Sequence, residues 1–218
     1  MTAFPALPAR DRGEAPADGS GADDFTLRED PWSLFRDWMA EAARTEPSDP
    51  NAMALATAGG DGLPDVRIML LKAFDERGFV FFTNERSTKG GELADNPQAA
   101  VVLHWKGLRR QVRARGPVVR VPPGESDAYF ASRPRGSRIG AQASRQSRPL
   151  ADRATLMAEV ASVSARHDGR AIPRPEHWSG FRIAPVSIEF WREGASRLHD
   201  RVRFTKADAG WDRVRLQP

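Results

Sequence analysis

An antiparallel β-barrel with helices inserted late in the chain is the fold class that this sequence predicts, mainly β with some helix. Three observations lead there. Apolar runs of strand length recur between residues 51 and 121 and again between 180 and 216, joined by tight-turn signals. Apart from one short helix after Ser87, the helical patterns after the first are inserted late, between 124 and 167, and do not alternate regularly with strands, which speaks against βαβ units. Finally, 218 residues of which 40% are hydrophobic and 28% charged suffice for one sizeable core, and no repeat or long linker marks a second domain.

The elements follow in order. Residues 1–29 are rich in Ala, Pro, Gly and Asp without apolar periodicity, and are expected as a disordered arm ahead of a single domain over 30–218. Asp30-Pro31 reads as an N-cap followed by proline at the first helical position, opening a helix with Phe35, Trp38, Met39 and Ala42 on one face. Strands at 51–58 and 64–72 flank the turn Gly59-Gly60-Asp61-Gly62 as a hairpin, and 78–83 is a third strand. Ser87 caps a short helix that stops at Asn96-Pro97. Residues 98–106 and 108–121 form another hairpin pivoting at Gly107 and closed by Pro122-Pro123. Helices are expected at 124–133, 137–144 and 150–167, broken by Pro134 and Pro149, and strands at 180–192, 197–205 and 211–216.

Composition removes several function classes. The chain has no cysteine, so it has neither disulfides, nor thiolate metal sites, nor a cysteine nucleophile, and no metal centre is expected. The longest wholly apolar run, Ala99 to Leu103, is far too short to span a membrane as a helix. The first residues hold no signal-peptide core and carry acidic side chains unlike a transit peptide, so a cytoplasmic protein is expected. The pI of about 10.1 reflects arginine: only Lys72, Lys89, Lys106 and Lys206 among the 33 basic residues are lysine. Residues 1–50 hold five basic and 11 acidic side chains, whereas 106–148 hold 11 basic ones against Glu125 and Asp127. So basic a middle segment wants an anionic partner.

Four clusters offer chemistry for one. On a strand Arg197, His199 and Arg201 share a face, which reads either as an exposed edge or as the wall of an anion or cofactor pocket. Tyr129 and Arg133 share a helix face, and Ser137 follows near the start of the next helix, which reads either as a solvated arginine face or as a phosphate cradle of hydroxyls, a guanidinium and free backbone N–H groups. Arg67 and Lys72 bracket Ile68-Met69-Leu70-Leu71 on opposite faces, so they serve one ligand only at a strand end, across a bulge or in adjacent sites. Ser87-Thr88-Lys89 opens a helix and is either a plain cap or a phosphate site. Gln111, Gln146 and Ser147 have the groups to hydrogen-bond a heterocycle, and Trp191 ends a strand ahead of Gly194.

Taken in order, RIMLLK (67–72), FFTNERSTKGGEL (79–93), RRQVR (109–113), YFASRPRGSRIGAQASRQS (129–147) and FWREGASRLHDR (190–201) closely resemble the pyridoxamine 5′-phosphate oxidase family, over about 30–218. The resemblance implies a split β-barrel homodimer with FMN at the subunit interface. It further implies oxidation of pyridoxamine or pyridoxine 5′-phosphate to pyridoxal 5′-phosphate by O2, giving H2O2. By motif, FMN would contact Arg67, Ile68, Met69, Leu70, Leu71, Lys72, Phe82, Thr83, Thr88, Lys89, Gln111, Gln146, Ser147, Trp191 and Arg201. Substrate would meet Lys72, Tyr129, Arg133 and Ser137, with Arg197 and His199 as the catalytic pair beside the pyridine ring. Two positions depart from the family pattern. Thr88 stands where relatives often carry Arg, and Glu14-Ala15-Pro16-Ala17 lacks the basic-aromatic motif that covers substrate in some of them.

Three rival readings make different predictions. A split-barrel flavoenzyme for another substrate would not need the Tyr129/Arg133/Ser137 set. A nucleic-acid binder would show salt-dependent affinity, but the chain has no recognised binding motif for one. A non-catalytic carrier of vitamin B6 phosphates would bind without consuming O2.

Overall fold

Every strand pairing in the computed structural model, which describes residues 24–218, is antiparallel. The first helix, α1 (Pro31–Thr45), starts where its cap dictates: the Asp30 carboxylate accepts from the N–H groups of Trp32 and Ser33 at 3.1 and 2.9 Å. Strands β1 (Ala52–Ala58) and β2 (Pro64–Leu70) form the first hairpin, and β3 (Ala73–Asp75) and β4 (Gly78–Asn84) the second. After α2 (Thr88–Asp95) come β5 (Gln98–Trp105) and the long β6 (Arg110–Arg120). Three helices follow, α3 (Pro123–Ser132), α4 (Arg135–Ala143) and α5 (Arg153–Arg166), then β7 (Trp178–Ile183), β8 (Ser187–Arg192), β9 (Asp200–Lys206) and β10 (Trp211–Leu216).

β6 organises the sheet. Its first half pairs with β8 and its last residues with β7, while β5 runs along its other edge. One branch therefore reads β10-β9-β8-β6-β5-β1-β2, and a second leaves β6 through β7 to β4 and β3. This is a half-barrel. Strict two-residue alternation gives it one dry face: Met53, Leu55, Val101, Leu103, Val112, Ala114, Ile188, Phe190, Val202 and Phe204 are all buried. α1 fills the opening between the branches. Phe35 packs edge-on against Phe74 and Phe79 at 4.7 and 5.0 Å, and Trp38 against Phe190 at 5.3 Å. A second, smaller cluster (Phe130, Ile139, Ala143, Val163, Ile172, Trp178) ties α3, α4 and α5 to β7.

Four sequence expectations are corrected. Order reaches back beyond Asp30: Phe25–Leu27 form a 3-10 turn, and Phe25 is buried against Trp38 at 5.0 Å. The remaining arm positions, 1–23, lie outside the described residues. The single strand expected at 180–192 is two strands, because Ala184-Pro185-Val186 crosses β6 where it changes partner. There the N–H groups of Ala184 and Val186 donate to the carbonyls of Pro117 and Arg115, both at 2.9 Å. Glycine is required at position 116, since a Cβ would lie 2.1 Å from the Ala184 carbonyl oxygen. The helices α4 and α5 start at Arg135 and Arg153, not at 137 and 150. Finally, the strand expected from 197 begins only at Asp200, with a 3-10 turn over Ala195–Arg197 before it.

Candidate active site

That last correction changes how the C-terminal cluster works. Arg197, His199 and Arg201 do not alternate along one strand. Arg197 closes the 3-10 turn with φ of 65°, next to Ser196 at 53°, two consecutive non-glycine residues in the left-handed region. The turn is tight enough that a Cβ on Gly194 would sit 1.9 Å from the Leu198 carbonyl oxygen. Gly194 N–H donates to His199 Nδ1 at 3.2 Å, and the imidazole packs on Trp191 with ring centres 4.6 Å apart. Across the sheet, register places Gln111 opposite Trp191 and Trp191 opposite Arg201, one outward-facing row over β6, β8 and β9. Arg201 is clamped: its Nε and Nη2 donate to Glu189 Oε1 at 3.0 and 2.8 Å, and Arg113 donates to the other oxygen at 2.6 Å. Glu189 is buried and bonded to these two guanidiniums, on the face of β8 opposite Ile188 and Phe190.

A second group gathers at the α2 N-terminus. Ser87 Oγ caps α2 through the Gly90 N–H, and the buried Lys89 reaches it with Nζ at 3.4 Å. Burial, and then the charge of Arg67, push the Lys89 ammonium below its ordinary value. Arg67 is held on β2 by the Leu55 carbonyl, the Thr57 hydroxyl, Asp65 and Glu92. A cleft of about 610 Å³ beside α2 is lined by Ser87 and Thr88 on one side and by Gln146 and Ser147 on the other, with Asn84, Arg145 and His177 between them. Ile68 is exposed, Met69 packs on the core and Leu71 is buried. Lys72 lies just past β2, where the chain leaves β1 for β4: Leu71 N–H donates to the Asn51 carbonyl and Lys72 N–H to the Val80 carbonyl, both at 2.8 Å. Arg67 therefore lies within β2 and Lys72 just past its end.

The third group is aromatic. Phe82 stacks on Tyr129 at 4.1 Å and on Trp178 at 5.2 Å, and Arg133 lies over the Trp178 ring at 4.9 Å. Among the described residues no carboxylate pairs with Arg133; its Nη1 is buried without a hydrogen-bond partner, as is Thr83 Oγ1 on β4. Burial pushes the Arg133 guanidinium below its ordinary value, and it remains charged. Ser137 is exposed in the first turn of α4. Groups two and three adjoin through the end of β4. Within one protomer no described hydrogen bond, ion pair or ring contact joins either to the Gln111–Trp191–Arg201 row.

A profile described as pyridoxamine 5′-phosphate oxidase matches residues 39–167, and one described as the pyridoxine 5′-phosphate oxidase C-terminal dimerisation region matches 178–218. The chain belongs to the pyridoxamine 5′-phosphate oxidase family. Relatives named pyridoxine/pyridoxamine 5′-phosphate oxidase are 57% identical in Maricaulis maris, over 99% of this chain and 97% of that one, and 57% identical in Azorhizobium caulinodans, over 89% and 93%. Such enzymes are oxidoreductases. Among solved structures, PhzG from Burkholderia lata, in complex with tetrahydrophenazine-1-carboxylic acid, superposes with TM-score 0.84 at 33% identity, over 91% of this chain and 98% of that one. An FMN-binding protein related to the family from Nostoc punctiforme has TM-score 0.70 at 15% identity, over 88% and 100%, and shares the split-barrel fold.

Trp178, Glu189, Asp65 and Glu92, which pack on or pair with the candidate residues, were not singled out from the sequence. Glu189 alone left a trace, a charge inside the apolar run Ile188 to Trp191. Among the described residues no cluster of three or more His, Asp or Glu is arranged for a metal, and no helix is long and apolar enough to cross a membrane.

Proposed function

We propose that the chain oxidises pyridoxamine 5′-phosphate and pyridoxine 5′-phosphate to pyridoxal 5′-phosphate with FMN as cofactor, O2 as acceptor and H2O2 as co-product. Arg133 carries this reading. A partly buried guanidinium with no carboxylate partner among the described residues, lying over an aromatic ring and with a buried Nη1 that has no hydrogen-bond partner, is suited to receive an anion. Its neighbours Tyr129 and Ser137 add hydroxyl donors suited to a phosphate monoester, and Lys72 adds a cation.

The residues present also fit FMN. Lys89 is buried with one long hydrogen bond, and Thr83 Oγ1 is orphaned. Lys89, Arg67, Thr88 and the α2 N-terminus would hold the cofactor phosphate, with Gln146 and Ser147 across the cleft. Gln111, Trp191 and Arg201 would face the ring system. Bound FMN would supply the two-electron acceptor, taking a hydride from the substrate's C4′ carbon and passing the electrons to O2. Arg197 and His199 would flank the pyridine ring. Because Gly194 N–H donates to Nδ1, the neutral His199 ring holds its proton on Nε2, ready to donate to a substrate oxygen or nitrogen. Arg197 would orient the substrate and offset negative charge that develops opposite it. The two half-sites meet, in this reading, across a homodimer built by the C-terminal dimerisation region.

Purified protein is expected to be yellow and to form pyridoxal 5′-phosphate from both phosphates while taking up O2. Failure to load with FMN would overturn the proposal. So would equal turnover of pyridoxine and its phosphate, because Arg133 would then contribute nothing.

A further inference from the structure

The proposed cofactor-phosphate site already contains its own anions. Arg67 Nη2 donates to Asp65 Oδ2 at 2.6 Å and to Glu92 Oε2 at 3.0 Å, so its fork is occupied by two carboxylates. These differ in how they are held. Glu92 is largely buried, with its side chain 14% exposed, and also accepts from the Thr57 hydroxyl. Asp65 is 53% exposed on the edge strand β2, and among the described residues it accepts, besides Arg67, only from the neighbouring Val66 N–H. Positions 65 and 67 share a face, so the contact follows from strand geometry. Arg67 is also what holds the Asp65 carboxyl below its usual value, chiefly through this hydrogen bond. Lys89 lies close enough to feel both carboxylates, and Thr88 between Ser87 and Lys89 is neutral.

We infer that Asp65 is a built-in competitor for the phosphate of FMN, occupying Arg67 in the empty site and yielding it when the cofactor binds. The inference rests on the proposed FMN site. A dianion approaching Arg67 and Lys89 meets a fixed carboxylate, Glu92, and a displaceable one, Asp65. Removing the charge at 65 takes away both the competing ion pair and the like-charge repulsion, while Glu92 still aligns the guanidinium.

The test follows FMN release from diluted holoenzyme by recovery of flavin fluorescence, for wild type and Asp65→Asn. The variant is expected to bind FMN roughly three- to tenfold tighter at low ionic strength, with a smaller gain in high salt. Riboflavin, which lacks the phosphate, should bind wild type and variant alike. Unchanged or weaker FMN binding by Asp65→Asn overturns the inference, as does an equal gain for riboflavin, which would indicate a general effect on the fold. Wild type that binds no FMN at all defeats the underlying site instead. Asp65→Ser, shorter and uncharged, separates charge from amide contacts: it too should tighten FMN, and if only Asn does so the competition account fails.

Discussion

Two arginines of the candidate site are oriented by opposite means. Arg201 is fixed by a buried carboxylate, Glu189, which partly neutralises it, whereas Arg133 lies on the Trp178 face with no carboxylate partner among the described residues. Trp178→Leu removes the ring and keeps an apolar side chain, though a smaller one, in the second cluster. With ~1 kcal/mol of cation–π support lost, KM for pyridoxine 5′-phosphate should rise roughly fivefold. The flavin spectrum should stay as in wild type and kcat should change little; Trp178→Phe should restore most of the loss. A fall in kcat at constant KM would mean that Trp178 does not act through Arg133. Tyr129 and Arg133 were legible as a pair because four residues on a helix make one face. Trp178 was not, because it comes from β7, on the far side of two intervening helices.

Caps and alternation made most elements readable. Asp30-Pro31 and Ser87 start their helices where the sequence says, and the alternation of β1, β5 and β6 names the core face. Elements whose limits are set by distant contacts were misread. The pattern across 180–192 looks continuous, yet Ala184-Pro185-Val186 must cross Gly116; the alternation across 197–201 looks strand-like, yet the Gly194 turn takes that backbone out of the sheet. A local cap missed by the sequence reading is testable. Asp152 accepts from Thr155 N–H at 2.7 Å and from its hydroxyl at 2.9 Å, at the start of α5. The first of these bonds, chiefly, holds its carboxyl below the ordinary 3.8. A depressed folded value means that the contribution is fully present above the unfolded value and is lost as pH falls through the folded one. Asp152→Ala should therefore speed amide exchange in the first turn of α5 at neutral pH. The difference from wild type should vanish well below pH 3.8, and a gap that persists in acid would show that the cap does not act through its charge.

At the scale of the whole molecule, the candidate residues fall into two groups. Arg133, with Tyr129 and Ser137, lies among the helices between β6 and β7, whereas Arg197 and His199 lie in the 178–218 segment matched by the dimerisation region. That the two halves belong together came from the family resemblance and from nothing in periodicity or spacing, because a chain's own pattern does not encode which surface its partner supplies. If a homodimer joins them, each site takes Arg133 from one protomer and Arg197 from the other. The homodimers Arg133→Ala and Arg197→Ala should then both be nearly inactive, the second while still holding FMN. In a doubly tagged heterodimer of the two variants, both lesions fall into the same site and leave the other intact, so activity per dimer should recover to about half that of wild type. Were each site built within one protomer, every site of the heterodimer would carry one lesion, and it would be as inactive as its parents.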